Sequence, residues 1–425
     1  MNARPESWSR PVEPGWAALA TLLALALFLA AWSLLHVGFY NRDQVIDTPV
    51  YQRYGDAMVD GKVPYRDFAV EYPPGALPAF VLPSLVRSEA GDLEGFERIF
   101  EALMWLCGAA ALGFMLLTLD AAGAGRGRIG AAVGFAAVSP LLVGSVVLTR
   151  FDLLPAALTV GALAGLVSGR ERLGLGALGL AAATKIYPVV LLPVALAYVW
   201  RRHGRREAGI CSAAFVAVVL LCFAPFLVLA PGGVLSSLSG QAGRPLQIES
   251  LGSGILLVSH QLFGFGIEME SGHGSQNLVG IAPAVLAVLL TLVQAGALVG
   301  TWVWFARGPA DRERLIRASA ASVVAFVALG KVLSPQFLIW LVPLVPLVRG
   351  RRGLAATGVL ALALALTQTW FPFRYWELAL EFDAWASWGV LARDVTLVGL
   401  LALLLWPPKR AQGRPTARPA AATSG

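Results

Sequence analysis

Two adjoining stretches decide how this chain is read: Gly15–Val37, GWAALATLLALALFLAAWSLLHV, and Asn41–Pro78, NRDQVIDTPVYQRYGDAMVDGKVPYRDFAVEYPPGALP. The first is an unbroken apolar run. A hydrocarbon core of about 30 Å takes about 20 helical residues at 1.5 Å each, so it is long enough to span one. It is too long for a secretory leader and lacks the small-residue cleavage site of one, so it is expected to stay as an anchor. Apolar runs of about 15 to 25 residues, the length a bilayer demands, recur down the chain. The whole is 57% hydrophobic and only 14% charged, with a mean hydropathy of +0.68. The runs are continuous rather than alternating, which excludes a β-barrel. The fold expected is all-α, a polytopic transmembrane helical bundle of about ten to twelve spans.

The formal charge of +7 invites a nucleic-acid reading. The basic residues, however, fall in short clusters between apolar runs: Arg4 and Arg10; Arg201, Arg202, Arg205 and Arg206; Arg307, Arg312, Arg314 and Arg317; Arg349, Arg351 and Arg352; Lys409, Arg410 and Arg414. That is the pattern of membrane topology, with all of these clusters on the cytoplasmic side. No nucleic-acid partner is expected. Residues 1–406 then read as one transmembrane domain, with a first outer loop over 37–78 and a second over 232–276. Residues 407–425 read as a disordered basic cytoplasmic tail. Cys107, Cys211 and Cys222 lie inside apolar runs without metal-ligand spacing and read as small core residues.

Two runs are interrupted. Residues 173–184 are followed by Lys185-Ile186-Tyr187-Pro188 and then 189–200; residues 318–330 are followed by Lys331-Val332-Leu333-Ser334-Pro335-Gln336 and then 337–348. Twelve residues of helix reach only about 18 Å, short of the bilayer's 30 Å or so. If each half is a separate helix rather than part of one tilted span, each break falls below the outer membrane surface, where irregular backbone is tolerated only if buried in protein or lining a cavity. Each carries a lysine, and a charge at that depth points to function.

The first outer loop holds Asp43, Asp47, Asp56, Asp60, Asp67 and Glu71. Other polar clusters on that side are Arg150 with Asp152, Lys185 with Tyr187, Arg244 with Gln247 and Glu249, Lys331 with Gln336, and Arg374 with Tyr375. Carboxylates facing buried cations suit sugar transfer from a phosphate-linked donor. A carboxylate takes a proton from the attacking hydroxyl, and the cations hold the departing phosphate. Each residue has a blander reading too. Most loop acids are solvated or paired, Arg150 and Asp152 can serve as a helix-start anchor, Lys185 can snorkel, and Gln336 can tie two helices together. The tryptophans read as an interfacial belt and His273 as a flexible-loop residue. No metal site, P-loop or nucleophile elbow is present.

Several segments carry a resemblance when taken in order: Asp47-Thr-Pro-Val-Tyr51; Asp60-Gly-Lys-Val-Pro-Tyr65-Arg-Asp67-Phe68; Glu71-Tyr72-Pro73-Pro74; Arg150-Phe-Asp152-Leu-Leu-Pro155; Lys185-Ile-Tyr187-Pro188; Gln247-Ile-Glu249-Ser250; and Lys331 through Trp340. Together they resemble the family 87 polyprenyl-phosphate-dependent glycosyltransferases, bacterial membrane enzymes of the GT-C fold related to cell-envelope mannosyltransferases. The resemblance implies a lipid-linked donor, typically a polyprenyl-phosphate mannose, and chemistry on the outer face of the plasma membrane. It also implies a catalytic acid early in the first outer loop and inversion at the sugar. It implies no metal and no cofactor.

On that basis Asp47 is the expected general base and Asp43 its understudy. Arg150, Lys185, Arg244 and Lys331 are expected to hold the donor phosphate. Tyr51, Tyr65, Asp67, Glu71, Tyr72, Asp152, Tyr187, Glu249 and Gln336 are expected to contact substrate. The acceptor is a cell-envelope glycan or glycolipid, and the remaining partners are membrane lipids. The rival is a flippase for a lipid-linked sugar, which would also want broken helices with buried cations; a lipid-linked-saccharide polymerase or ligase is a third reading. Sugar, linkage and oligomeric state are not read from the sequence.

Overall fold

In the computed structural model, residues 13–42 and 44–406 are described. Asp43, the basic residues Arg4 and Arg10, and the tail expected from 407 lie outside the described residues. The helices run in order: α1 (Pro14–Leu34), α2 (Thr48–Val59), α3 (Leu77–Val86), α4 (Leu93–Ala121), α5 (Arg126–Val138), the short α6 (Pro140–Val143) and α7 (Val146–Thr149), α8 (Leu153–Val167), α9 (Glu171–Thr184), α10 (Leu192–Leu229), α11 (Pro231–Ala242), α12 (Leu251–Phe263), α13 (Ile281–Ala306), α14 (Arg312–Ala328), α15 (Gly350–Gln368), α16 (Tyr375–Glu381) and α17 (Ala384–Leu405). The protein is an all-α polytopic membrane protein. Among the described residues, five helical segments are long and apolar enough to cross a bilayer unaided: Gly15–Leu34, Leu93–Ala121, Tyr187–Leu229, Ile281–Ala306 and Ala384–Leu405. Shorter apolar helical segments include Pro74–Val86, Leu153–Val167 and Leu251–Phe263. α10 is two helices joined where Gly204 takes a left-handed φ of 85°, within the basic cluster.

Among the described residues, basic side chains from several clusters tie helix ends together. Arg201 donates to the carbonyls of Ala306 and Gly308, Arg312 to Ala121, Arg349 to Ala122 and Arg128 to Val348, while Arg172 pairs with Glu207. These arginines satisfy carbonyls at helix ends, where the backbone lacks its own donors.

Both breaks are present. α9 stops at Lys185, whose backbone is extended, and the chain resumes as a 3₁₀ turn over Tyr187–Leu191. Beyond α14 the expected second half-helix does not form. Residues 335–348 run as 3₁₀ turns, Pro335–Trp340 and Val345–Leu347, joined by turn. Three prolines, Pro335, Pro343 and Pro346, remove the donors an α-helix needs. At about 2.0 Å per residue, this tighter winding covers about 28 Å with fourteen residues. Residues 338–348 are all buried, so protein covers this irregular backbone.

The polar segment after α1 is ordered against the bundle. Tyr51 of α2 is buried and stacks on Phe80 of α3, with centroids 4.6 Å apart. Gly75 sits so close to the end of α9 that a Cβ there would lie 2.6 Å from the Ala183 carbonyl. Only glycine lets the Tyr72–Pro74 turn press against the first break. A three-stranded antiparallel sheet supplements the helices: β1 (Leu246–Gln247), β2 (Glu268–Gly272) and β3 (Ser275–Val279), in spatial order β1-β3-β2. Its β2–β3 hairpin turns through His273 and Gly274, both at positive φ (53° and 64°), the primed turn that suits a two-residue loop.

Candidate active site

The polar segment, both breaks and the hairpin surround one cavity of about 500 Å³. Ten of the residues expected from the sequence line it: Asp47, Tyr51, Glu71, Tyr72, Asp152, Lys185, Tyr187, Arg244, Lys331 and Gln336. They come from positions as far apart as 47 and 336, and the fold alone brings them together.

One part of this wall is built from satisfied ion pairs. Asp47 precedes the first turn of α2, and its Oδ2 meets the guanidinium of Arg150, which lies in the extended residue between α7 and α8. The Tyr51 hydroxyl lies 3.4 Å from the same oxygen. Burial holds the Tyr51 and Tyr72 phenols above their ordinary range, so both remain donors. Beside this pair, Lys185 Nζ is 2.6 Å from Asp152 Oδ1, and that oxygen also accepts from the Trp340 indole N–H at 2.6 Å. The ammonium lies 4.5 Å from the Phe151 ring centroid, 5.1 Å from that of Trp340 and 5.6 Å from that of Phe337. Aromatic faces and a carboxylate together offset the loss of water around it. Tyr187, Trp340 and Phe337 form a continuous stack, with centroids 4.0 and 4.2 Å apart.

The other part holds cations with no carboxylate in salt-bridge contact among the described residues, although Glu71 is close enough to act on Arg244. Arg244 donates to the Ser275 hydroxyl at 2.8 Å, and its Nε is buried with no protein partner. Lys331 donates to the Ala242 carbonyl at 2.9 Å. Among the described residues neither is in a salt bridge. Gln247 stands behind Lys331: its N–H donates to the Lys331 carbonyl at 3.0 Å and its amide nitrogen to Ser334 Oγ at 2.6 Å.

A single cavity that joins a hydroxyl-facing carboxylate, a flat aromatic surface and two uncommitted cations can bind a polar ring carrying an anionic group and draw a proton from a second hydroxyl. Comparison with protein families matches residues 70–335 to glycosyltransferase family 87, which is more than half of the chain. The protein belongs to glycosyltransferase family 87. No curated protein matches the chain. The matched span takes in Lys185 and Lys331 of this glycosyltransferase and the 244–250 segment between them. Asp47 precedes it, and Gln336 and Trp340 lie just beyond.

The remaining expected residues are placed differently. Arg150 does not line the cavity but pairs with Asp47, which does. Glu249 is buried behind the wall, hydrogen-bonded to Gln247 at 2.5 Å. Tyr65 does not reach the cavity of the glycosyltransferase: it packs on Phe226 and its hydroxyl donates to the Tyr72 carbonyl at 2.6 Å, bracing the turn that does. Asp67 is remote and solvent-facing, paired with Arg66 and capped by the Val63 N–H, contacts that hold its carboxyl down at about 2. The sequence reading passed over Trp340 as a belt residue and His273 as loop, yet both line the cavity. Trp340's place in the motif that begins at Lys331 was the available signal; for His273 there was none. Arg393 and Asp394, fully buried in α17, were also missed.

Proposed function

We propose that this glycosyltransferase moves a hexose, mannose by preference, from a polyprenyl-phosphate donor to a cell-envelope glycan or glycolipid, with inversion. The observation that carries the reading is the split within the cavity: among the described residues Arg244 and Lys331 are in no salt bridge, while Asp47 stands in the same space with its own counter-charge supplied by Arg150. The donor's phosphodiester supplies negative charge to the free pair, and the phosphate monoester left when the sugar departs supplies more. Asp47 acts as general base. Arg150 and Tyr51 both approach Oδ2, which leaves Oδ1 to accept the acceptor's hydroxyl proton. The acceptor oxygen then bonds to the anomeric carbon from one face as the C–O bond to phosphate breaks on the other. The electron pair leaves with the phosphate, and Arg244 and Lys331 stabilise it. Lys185, though also near, is neutralised by Asp152 and helps shape the aromatic surface against which the apolar face of a sugar rests. Glu71, Tyr72 and Gln336 supply hydroxyl contacts. With the arginine clusters in the cytoplasm by the positive-inside rule, the cavity opens toward the outer face of the plasma membrane.

The test is transfer from radiolabelled polyprenyl-phosphate mannose in membranes carrying wild type, Asp47→Asn or Asp43→Asn. The expected result is transfer by wild type and Asp43→Asn and none by an equally abundant Asp47→Asn. Wild-type rates in both variants overturn the assignment of the base. Transfer from another polyprenyl-phosphate sugar only would overturn mannose and keep the mechanism.

A further inference from the structure

The last long helix carries an arginine and an aspartate side by side near its middle. Arg393 lies nine residues beyond the start of α17 at Ala384, about 14 Å along it at 1.5 Å per residue. Ionisable groups at such depth are costly and rare unless they serve a purpose. Neither side chain has exposed surface, and Arg393 Nε is 2.5 Å from Asp394 Oδ1. Neither lines the cavity, and both lie beyond the segment matched to the family. For stability alone such a pair gains little over well-packed apolar side chains.

What distinguishes this pair is a further contact. Arg393 Nη2 donates to the backbone carbonyl of Glu249 at 2.6 Å. The Glu249 carboxylate in turn accepts from Gln247 Nε2, and Gln247 holds both the Ser334 hydroxyl and the Lys331 carbonyl. Lys331 and Ser334 line the cavity. Residues 330–334 have no helix or strand of their own, so contacts from neighbouring segments set their position. The pair in α17 is thus linked to the free lysine through a short run of chain anchored at one end by Arg393.

We propose that Arg393, held in place by Asp394, is a positioning residue for the donor: it anchors the 247–249 segment and thereby sets where Lys331 presents its ammonium. This rests on reading the cavity as the donor site. The experiment compares wild type with Arg393→Met/Asp394→Leu, which removes both members of the pair together and leaves Arg150 as the positive charge near the buried Glu249. The expected result is a rise in donor KM of about 10–100-fold, the scale on which supporting contacts behind a binding group act, with kcat changed far less. Arg393→Lys, which keeps a cationic donor toward the Glu249 carbonyl, recovers part of the loss. Hydrogen–deuterium exchange without substrate is the second readout. In the double variant it rises over 246–250 and 330–336 while α15 and α17 stay protected. Unchanged exchange over those two segments overturns the proposal, as does a rise spread evenly through α17 and its neighbours. If the double variant does not accumulate, Arg393→Lys carries the same exchange comparison, with a smaller local rise expected. If wild type transfers no sugar, the donor reading fails, while the exchange result still decides whether Arg393 positions the wall.

Discussion

The two lysine breaks look alike in sequence and are wired in opposite ways. Lys185 and Lys331 each follow an apolar helix, each precede a proline within a few residues, and each line the same cavity. Lys185 is committed: Asp152 neutralises it, three aromatic rings surround it, and Asp152 is fully buried. Lys331 is uncommitted, touching a carbonyl and sharing its region of the wall with Arg244, which is also in no salt bridge among the described residues. The difference separates the roles of identical residues. A lysine already paired at depth belongs to the frame of the site, whereas one held only by a neutral oxygen has charge left for a ligand.

Several variants sharpen or break that comparison. The largest effect is expected at the base: Asp47→Asn lowers transfer about 10²–10⁴-fold, the range for a general base. Glu71→Gln, changing the other loop carboxylate in the cavity, should cost less; the reverse order would move the base to Glu71. Next comes the paired lysine. Lys185→Met strands the buried Asp152 charge and should lower stability by about 3–5 kcal/mol, measured as the unfolding midpoint in detergent. Lys185→Met/Asp152→Leu should restore most of it. A single variant as stable as wild type would show that Lys185 is not committed to the frame.

Lys331→Met and Arg244→Met should leave the unfolding midpoint nearly unchanged and raise donor KM about tenfold or more each, as expected for losing a charge-assisted hydrogen bond to phosphate. A KM unmoved in both would remove the distinction between the two breaks. The smallest effect is expected at Asp67→Asn, about twofold or less on transfer, because its exposed pair with Arg66 stands away from the cavity. Its carboxyl is depressed to about 2, so whatever its contacts contribute is present above the ordinary carboxylate range and is lost only as the pH falls toward that value. Titration of Asp67 therefore should leave no mark on a transfer profile between about pH 5 and 8.

Much of the cavity was legible in the chain because burial of charge is rare enough to be read singly. A lysine in the middle of an apolar run, as at 185 or 331, signals a protein-lined space whatever surrounds it. The polar segment before Pro78 was legible for a related reason, since its density of acids and tyrosines exceeds what a simple connection needs. Asp67 and Tyr65 show the limit of that signal. Both share the segment's composition, yet one faces solvent and the other braces the Tyr72 turn, because composition carries no direction. Trp340 shows the converse. A tryptophan in an apolar run is commonest at a membrane interface, and only its indole N–H on Asp152 separates it from that majority. The flippase reading, kept open by the paired breaks, gives way to the family match and to the different wiring of the two lysines.

The sequence by itself determined that the chain lies in a membrane as helices, that its arginine clusters gather at helix ends, and that two helices break at depth around lysines. All three follow from short-range quantities: run length, charge spacing and proline. Only the tertiary structure decided which lysine is free, that Trp340 donates to Asp152, and that Arg393 reaches the Glu249 carbonyl. Those outcomes depend on pairing across more than a hundred positions, such as Asp152 with Trp340 or Glu249 with Arg393. No local pattern encodes such pairings, because the energy of a buried charge is set by what packs against it.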